Sequence, residues 1–499
     1  MADSSGRVEP TSSWVSTYTD SGRSCGTDGQ RMYAVTYDDG QYLMFGRVAK
    51  RCKVKKGVVV SLFVLATLVV IATVNLYSGG LSSAVAHSLQ PPAFSDEIST
   101  LLDACASLNA TVFLMEPRLL ERLVEDKELP QDWWSRNNSG SAFNVVTFGV
   151  LEQDLLPNEE QFVADAMRKH RYKYVAVEGR DPRPISVSLW DTRHINRTTH
   201  HLFVRRGRVI HLVVFFGRRG YWWHGAVGAS VPSLHRLLPS LTFGEFPGAF
   251  DDLQLSEASR RDGRERVFTP HDSQAFLKAA KISRFIDCDA AVARSVQRKH
   301  GNLGTDSEHY GKMASRAYAA LYFKRVMKKL GKLFWLTNGS LLGWYRQCGI
   351  IPHDHDVDFG MWAEDYEPSL RAVFENNPVL KLCTVWGNKN DSFQFALWGY
   401  HMKVDIFFLY KTPDGMHTFH GVTGNDGRRR YSATFPAVQL CTTEFLGEMF
   451  HVPCTPSLML DAEYGTNWRE PNVEYDYQDA LNLRKRGAWK KQAEIMCEE

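Results

Sequence analysis

The sequence predicts an α/β protein, with two successive domains following a single N-terminal membrane helix. Three observations predict it. Residues 57–76 form one uncharged apolar run, GVVVSLFVLATLVVIATVNL, of the length that crosses a bilayer as a helix. From about residue 98 short apolar runs alternate with helical patterns. Further on, Asp356-Val357-Asp358-Phe359 and Val404-Asp405-Ile406 show the apolar and acidic alternation of strands with one functional face.

At 499 residues the chain is long enough for a targeting segment and at least two domains with their own cores. The net charge of +3 is small for that length. No long basic block is interleaved with aromatics, so nucleic acid is not an expected partner.

Residues 1–56 are expected to form a cytosolic tail, disordered through about residue 46 because Ser, Thr, Gly and Asp dominate without an apolar period. Residues 57–77 form the membrane helix. Arg47, Lys50, Arg51, Lys53, Lys55 and Lys56 precede it and no Lys or Arg follows until Arg118, which orients the tail to the cytosol and the bulk of the chain to the lumen. The polar stretch ahead of the span is too long for a cleaved signal peptide, so the span reads as a type II signal anchor. Residues 78–97 read as a stem. Seven of the nine cysteines follow the span, an odd number for an oxidising lumen, so one is expected to be free or paired between chains. Cys52, beside the span, reads as an inert thiol or a palmitoylation site. Sequons at Asn109, Asn137, Asn196 and Asn390 suit the secretory pathway; Asn338 begins another, expected to be unmodified.

The first domain is expected over 98–280. Thr111–Leu114, Val145–Phe148, Tyr174–Val177 and His211–Phe216 read as strands, and Phe162, Ala166 and Met167 as one helix face. His211 reads as a strand-end residue rather than a ligand. No catalytic constellation is expected there.

The second domain is expected over 281–499. Met313, Ala317, Ala320 and Met327 keep helical spacing up to Gly331, and Leu333–Leu336 follow as a short strand. Asn338-Gly339-Ser340 then opens a helix whose free N–H groups suit a phosphate, with Gly339 and Ser340 as donor-phosphate residues. Asp356 and Asp358 lie on one strand face, and a later strand brings in Asp405. That order of strand, Gly-Ser turn, helix, Asp-x-Asp and third Asp is the pattern of the nucleotidyltransferase-like fold. Three carboxylates favour a hard cation, Mg²⁺ or Mn²⁺, beside substrate phosphates. Asp405 either completes the metal site or takes a proton from the attacking hydroxyl. Arg346 and Lys403 are candidates for stabilising charge on a departing nucleotide. His353 and His355 lack further His or Cys at zinc spacing, and Cys441 and Cys454 read as a disulfide or as buried thiols.

The stretches FWLTNGSLLGWYRQCGIIPHDHDVDFGMW, KVDIFFLY and LCTTEFLGEMFHVPC, with HLVVFF, WWHG, FGEFPGAFD and SRFIDC before them, resemble the LicD/fukutin family over roughly residues 100–480. The resemblance implies a Golgi enzyme of type II topology that transfers ribitol 5-phosphate from CDP-ribitol to the phosphorylated O-mannosyl glycan of α-dystroglycan and releases CMP. Carried onto this chain, the catalytic and metal-holding residues are Asp356, Asp358 and Asp405. Fukutin-related protein and other O-mannosyl glycan enzymes are the partners it implies. Transfer from another CDP-alcohol (phosphocholine or glycerol phosphate), or a noncatalytic scaffold role, are the alternatives. The chain beyond Trp468 matches less well.

Overall fold

The computed structural model describes residues 35–37, 40–42, 94–126, 144–155, 159–180, 196–228, 234–258, 267–301, 307–424, 428–489 and 493–497. The expected membrane span and most of the tail and stem lie outside the described residues. Among the described residues no helix is long and apolar enough to cross a membrane. Within the N-terminal unit of residues 1–90, Val35–Tyr37 pairs antiparallel with Gly40–Tyr42. This short ladder falls inside the tail read as disordered, where Val and Tyr supply local strand propensity.

Residues 91–499 form one compact unit with two mixed sheets, each on its own core. The strands of the first sheet are β1 (Val112–Leu114), β2 (Asn144–Leu151), β3 (Lys173–Arg180), β4 (Asn196–Arg205), β5 (Arg208–Arg218), β6 (Tyr221–His224), β7 (Gly248–Phe250), β8 (Leu255–Ala258) and β9 (Val267–Pro270). They order β8-β9-β1-β2-β5-β4-β3, with β6 joining β5 to β7. Helix α1 (Phe94–Ser107) starts inside the stretch read as stem, and α2 (Pro117–Asp126), α3 (Glu160–Lys169) and α4 (Ser273–Ala280) complete the layer. Glu97 on α1 is fully buried, and its carboxylate accepts from Arg205, Arg208 and the Tyr172 hydroxyl. The inward face of α3 is Val163, Ala164 and Met167. Phe162, expected on that face, is 52% exposed, because residue 163 rather than 162 falls four positions before Met167.

His211 sits within β5 rather than at its end, buried beside three other histidines. His200 Nε2 lies 3.0 Å from the Gly225 carbonyl, which can only accept, so His200 Nδ1 is bare and accepts from His211 Nε2 at 2.9 Å. His224 Nδ1 donates to the same carbonyl at 2.8 Å. Hydrogen bonding thus fixes neutral tautomers along the chain.

The second sheet contains β10 (Trp335–Leu336), β11 (Asp356–Trp362), β12 (Lys381–Asn388), β13 (Asp391–Gly399), β14 (Met402–Lys411), β15 (His417–Thr423), β16 (Arg429–Pro436), β19 (Leu483–Ala488) and β20 (Glu494–Ile495), with β17 (Leu440–Phe445) and β18 (Glu448–Pro453) pairing separately. Its helices are α5 (Ala290–His300), α6 (Ser307–Lys329), α7 (Asn338–Gln347), α8 (Pro368–Glu375) and α9 (Pro456–Tyr464). The strands order β19-β16-β15-β14-β13-β12-β20, and β11 runs parallel to β14 while pairing β10 on its other edge. Phe323 of α6 stacks on Phe359 of β11 at 4.4 Å, with Phe334, Phe374 and Phe450 around them.

Residues 283–286 join the first sheet to the β17–β18 pair. Ala249 N–H donates to Ser283 O at 2.8 Å, Phe285 N–H to Pro247 O at 2.7 Å, and Ile286 N–H to Thr442 O at 2.9 Å. Three disulfides, Cys288–Cys348, Cys383–Cys497 and Cys441–Cys454, leave Cys105 as a buried free thiol, which agrees with the odd count after the span.

Burial pushes His201 and His224 down to about 4 and His211 to about 3, and holds His200 well below its ordinary value. A histidine held neutral in the fold takes up a proton more readily once unfolded. Its stabilisation is therefore present above about pH 6.5 and declines by about 1.4 kcal/mol per pH unit below it, until the folded-state value is reached. Hydrogen exchange, corrected for intrinsic rates, should consequently rise in β4–β6 between pH 7 and 5 before it rises in β11 and β14. Equal protection of β4–β6 at both pH values would contradict this.

Candidate active site

The parallel pairing of β11 with β14 sets Asp356 opposite Lys403, Val357 opposite Val404 and Asp358 opposite Asp405. Alternation along each strand then sends Val357 and Val404 into the core and gathers the charged residues on the other face. Asp356, Asp358 and Asp405 each offer an oxygen within 4.8 Å of the others, the only such group among the described residues. Lys403 Nζ bridges two of them, at 3.1 Å from Asp356 Oδ2 and 2.9 Å from Asp405 Oδ2. Lys403, expected to face a departing nucleotide, is therefore also a counter-ion inside the acidic cluster.

The first turn of α7 is built around Asp358. Gly339 N–H donates to Asp358 Oδ2 at 3.0 Å, and Asp358 N–H donates to Ser340 Oγ at 2.8 Å. The helix N-terminus is thus directed at a carboxylate. Gly339 and Ser340, expected to serve the donor phosphate, are thus also bonded to Asp358, and the Ser340 hydroxyl keeps its own proton to donate. A Cβ at position 339 would stand 2.7 Å from Asp354 Oδ2 and 3.1 Å from Asp358 Oδ2, so any side chain there must push the Asp354 carboxylate aside. Asn338 holds φ at +45°, a left-handed conformation that asparagine tolerates.

Burial raises Asp358, and the charges of Asp356, Asp354 and Asp405 raise it further. Asp405 is pushed up to about 6 by burial, with Lys403 pulling the other way. Burial alone would lower Lys403, yet Asp405 and Asp356 outweigh it and hold the ammonium above its ordinary value. Asp405 Oδ1 is buried with no hydrogen-bond partner among the described residues. A hard oxygen donor set that carries excess negative charge and an unpartnered buried oxygen fits a divalent cation.

A cavity of about 680 Å³ opens over this cluster, lined also by Gly339, Arg346, Asp354 and Glu463. Arg346 is buried, with Nη1 3.4 Å from Trp468 O and Nη2 3.2 Å from Gln347 Oε1, and burial pushes its guanidinium down to about 10. His353 and His355 line the cavity outside the metal-ligand group. Three features have no counterpart in the sequence reading. Arg316 of α6 is fully buried and donates to the carbonyls of Ile351 and Pro352 at 2.8 Å, and to that of Asp354, so it holds the loop before β11. Its signal was a charge at helical spacing with buried Ala320, Phe323 and Met327. Asp354 is pushed up to about 7 by burial and by Asp356. Glu463 at the end of α9 is pushed up to about 8 by burial.

Comparison with known proteins matches residues 331–455 to the family model "LicD/FKTN/FKRP, nucleotidyltransferase domain" and residues 81–314 to "Fukutin N-terminal". The chain is 32% identical over 395 residues to "Ribitol-5-phosphate transferase FKTN" of Mus musculus, covering 77% of this chain and 83% of the relative. The chain belongs to the fukutin family. The Homo sapiens protein of the same name is 31% identical over 392 residues, covering 76% of this chain and 83% of that one. "Ribitol 5-phosphate transferase FKRP" of Mus musculus is 29% identical over 174 residues, covering 33% and 34%. In this fukutin-family chain the nucleotidyltransferase match contains Gly339, Asp356, Asp358 and Asp405.

Gly339→Ala should leave the melting temperature within a few degrees of the parent and lower turnover by about a hundredfold, the scale of an ångström-sized misplacement at a reacting centre. A melting curve and an initial-rate assay check it. Parental turnover would show that the contact of residue 339 with Asp354 and Asp358 is unimportant.

Proposed function

We propose that this chain is a metal-dependent ribitol-5-phosphate transferase. It takes ribitol 5-phosphate from CDP-ribitol, passes it to the phosphorylated O-mannosyl glycan of α-dystroglycan at a terminal N-acetylgalactosamine, and releases CMP. The observation that carries the reading is the convergence of Asp356, Asp358, Asp405 and Lys403 in one cavity. Its context, a chain whose relatives are named ribitol-5-phosphate transferases, supports the donor.

A divalent cation, Mg²⁺ or Mn²⁺, held by the three carboxylates would neutralise charge on the donor diphosphate. The protein's own groups do the rest. The α7 N-terminus fixes Asp358, and Lys403 and Arg346 offer positive charge to the departing CMP. The acceptor hydroxyl oxygen forms its bond to the ribitol-side phosphorus as the bond from that phosphorus to the CMP oxygen breaks. The hydroxyl proton passes to a carboxylate of the same cluster as the new bond forms.

The location that goes with this reading is the Golgi membrane, with a type II anchor at residues 57–77 and the catalytic part lumenal. The basic residues before the apolar run support it. Fukutin-related protein and other enzymes of the same glycan are the partners that the reading favours.

The test is transfer by the full-length protein from CDP-ribitol to a phosphorylated O-mannosyl acceptor, read as product mass. Addition of ribitol phosphate with release of CMP is expected. Transfer from only another CDP-alcohol would replace the donor, and no transfer by folded protein with its cellular partners present would favour a scaffold. Asp356→Asn and Asp358→Asn should each fold and lose about a hundredfold or more in turnover, measured at saturating metal and donor. Chelation should abolish transfer by the parent protein, and added Mg²⁺ or Mn²⁺ should restore it. Full activity after dialysis against chelator would remove the cation from the reaction.

A further inference from the structure

Away from the carboxylates, the same cavity has a wall of buried polar atoms that no protein group satisfies. Asn482, His420 and Tyr475 all line it. Among the described residues, the Asn482 Nδ2 and Oδ1, the His420 Nε2 and the Tyr475 hydroxyl have no hydrogen-bond partner. Buried polar atoms without partners are rare in folded proteins, and several on one cavity wall point to a ligand that supplies the missing bonds.

The backbone fixes where these groups stand. Asn482 O accepts from Thr434 N–H of β16 at 3.2 Å, just before β19 begins. His420 of β15 pairs with Ala433, which pairs with Leu483 on β19. His420 Nδ1 lies 3.0 Å from the Gly421 carbonyl. That carbonyl can only accept, so Nδ1 carries the proton and Nε2 is a bare acceptor. The ring is held between Phe407, at 4.6 Å, and Phe435, at 5.4 Å, so it cannot readily turn over. The Asn482 amide, by contrast, offers one donor and one acceptor side by side.

We propose that Asn482 and His420 are the residues that recognise the donor's base, and that they select cytosine. The inference rests on the cytidine-donor reading above. The Asn482 amide pairs with the base edge, donating to N3 and accepting from the 4-amino group, and His420 Nε2 accepts from that same amino group. Uracil presents a carbonyl there. The Asn482 amide accommodates uracil by rotating, whereas the fixed acceptor of His420 meets the carbonyl lone pairs and rejects it. The rings of Phe407 and Tyr475 on the same cavity wall suit a flat base better than an alcohol chain.

The test is calorimetric binding of CMP, UMP and ribitol 5-phosphate to the full-length protein with Mg²⁺ present. Asn482→Leu should weaken CMP by about tenfold or more, the scale of one bidentate pair, and leave ribitol 5-phosphate unchanged. Its melting temperature should not fall, because two unpaired buried groups are removed. His420→Phe, which keeps the ring packing, should narrow the preference for CMP over UMP. Unchanged CMP binding in Asn482→Leu, or a loss confined to ribitol 5-phosphate, would overturn the assignment. If the parent protein binds no cytidine nucleotide and transfers nothing from CDP-ribitol, the donor reading falls and this subsite with it. If the parent does both and the two variants bind as it does, only the subsite falls.

Discussion

Like charges forced together on one face of the second sheet are the constraint around which that sheet is organised. Register alone puts Asp358 beside Asp405 and Asp356 one pleat away, and each pair of carboxylates at this separation repels by roughly 3–4 kcal/mol at an effective dielectric of 20. The fold offsets part of that with Lys403, which contacts two of the three, and with the N-terminus of α7, aimed at the third. What is left over is negative charge in a cavity. A divalent cation and a diphosphate together would supply the complementary charges, and under the proposed function the repulsion is a binding device rather than a defect.

Rigidity around the cluster comes from more distant elements. Arg316 ties the loop before β11 to α6 through three carbonyls. At the other end of α7, Cys348 is bonded to Cys288 and the Asp289 N–H donates to Tyr345 O. The connector that carries Cys288 is itself hydrogen-bonded between β7 of the first sheet and β17. The first sheet is thereby linked to the helix that positions Asp358, which gives the first domain a structural role at the site.

Much of the cluster was legible in the sequence because strand alternation is local. Asp356-Val357-Asp358 and Val404-Asp405-Ile406 declare which residues share a face, and the Gly-Ser turn between strand and helix declares where the chain bends toward them. Partner choice was not legible. Gly339 and Ser340 have the composition of a phosphate turn, and only the tertiary arrangement shows that they also bond to Asp358. Lys403 is a free cation in sequence and an ion-paired one in space. Glu463, Tyr475 and Asn482 come from separate stretches with no shared motif, brought to one cavity by sheet order and the return of the chain after α9. In the first sheet, short apolar runs found β1, β2, β3 and β5, while the one-residue error on α3 that put Phe162 inward reflects how weakly a short helix fixes its phase.

In the proposed function Asp356, Asp358 and Asp405 together hold one divalent cation. Titrating the full-length protein with Mn²⁺ and following the free ion by electron paramagnetic resonance tests it without any assumption about donor or acceptor. The account predicts one tightly held Mn²⁺ per chain in the parent protein, and its loss in folded Asp358→Asn and Asp405→Asn variants. Equal Mn²⁺ binding by the parent and both variants, or no binding by the parent even with CMP present, would contradict it.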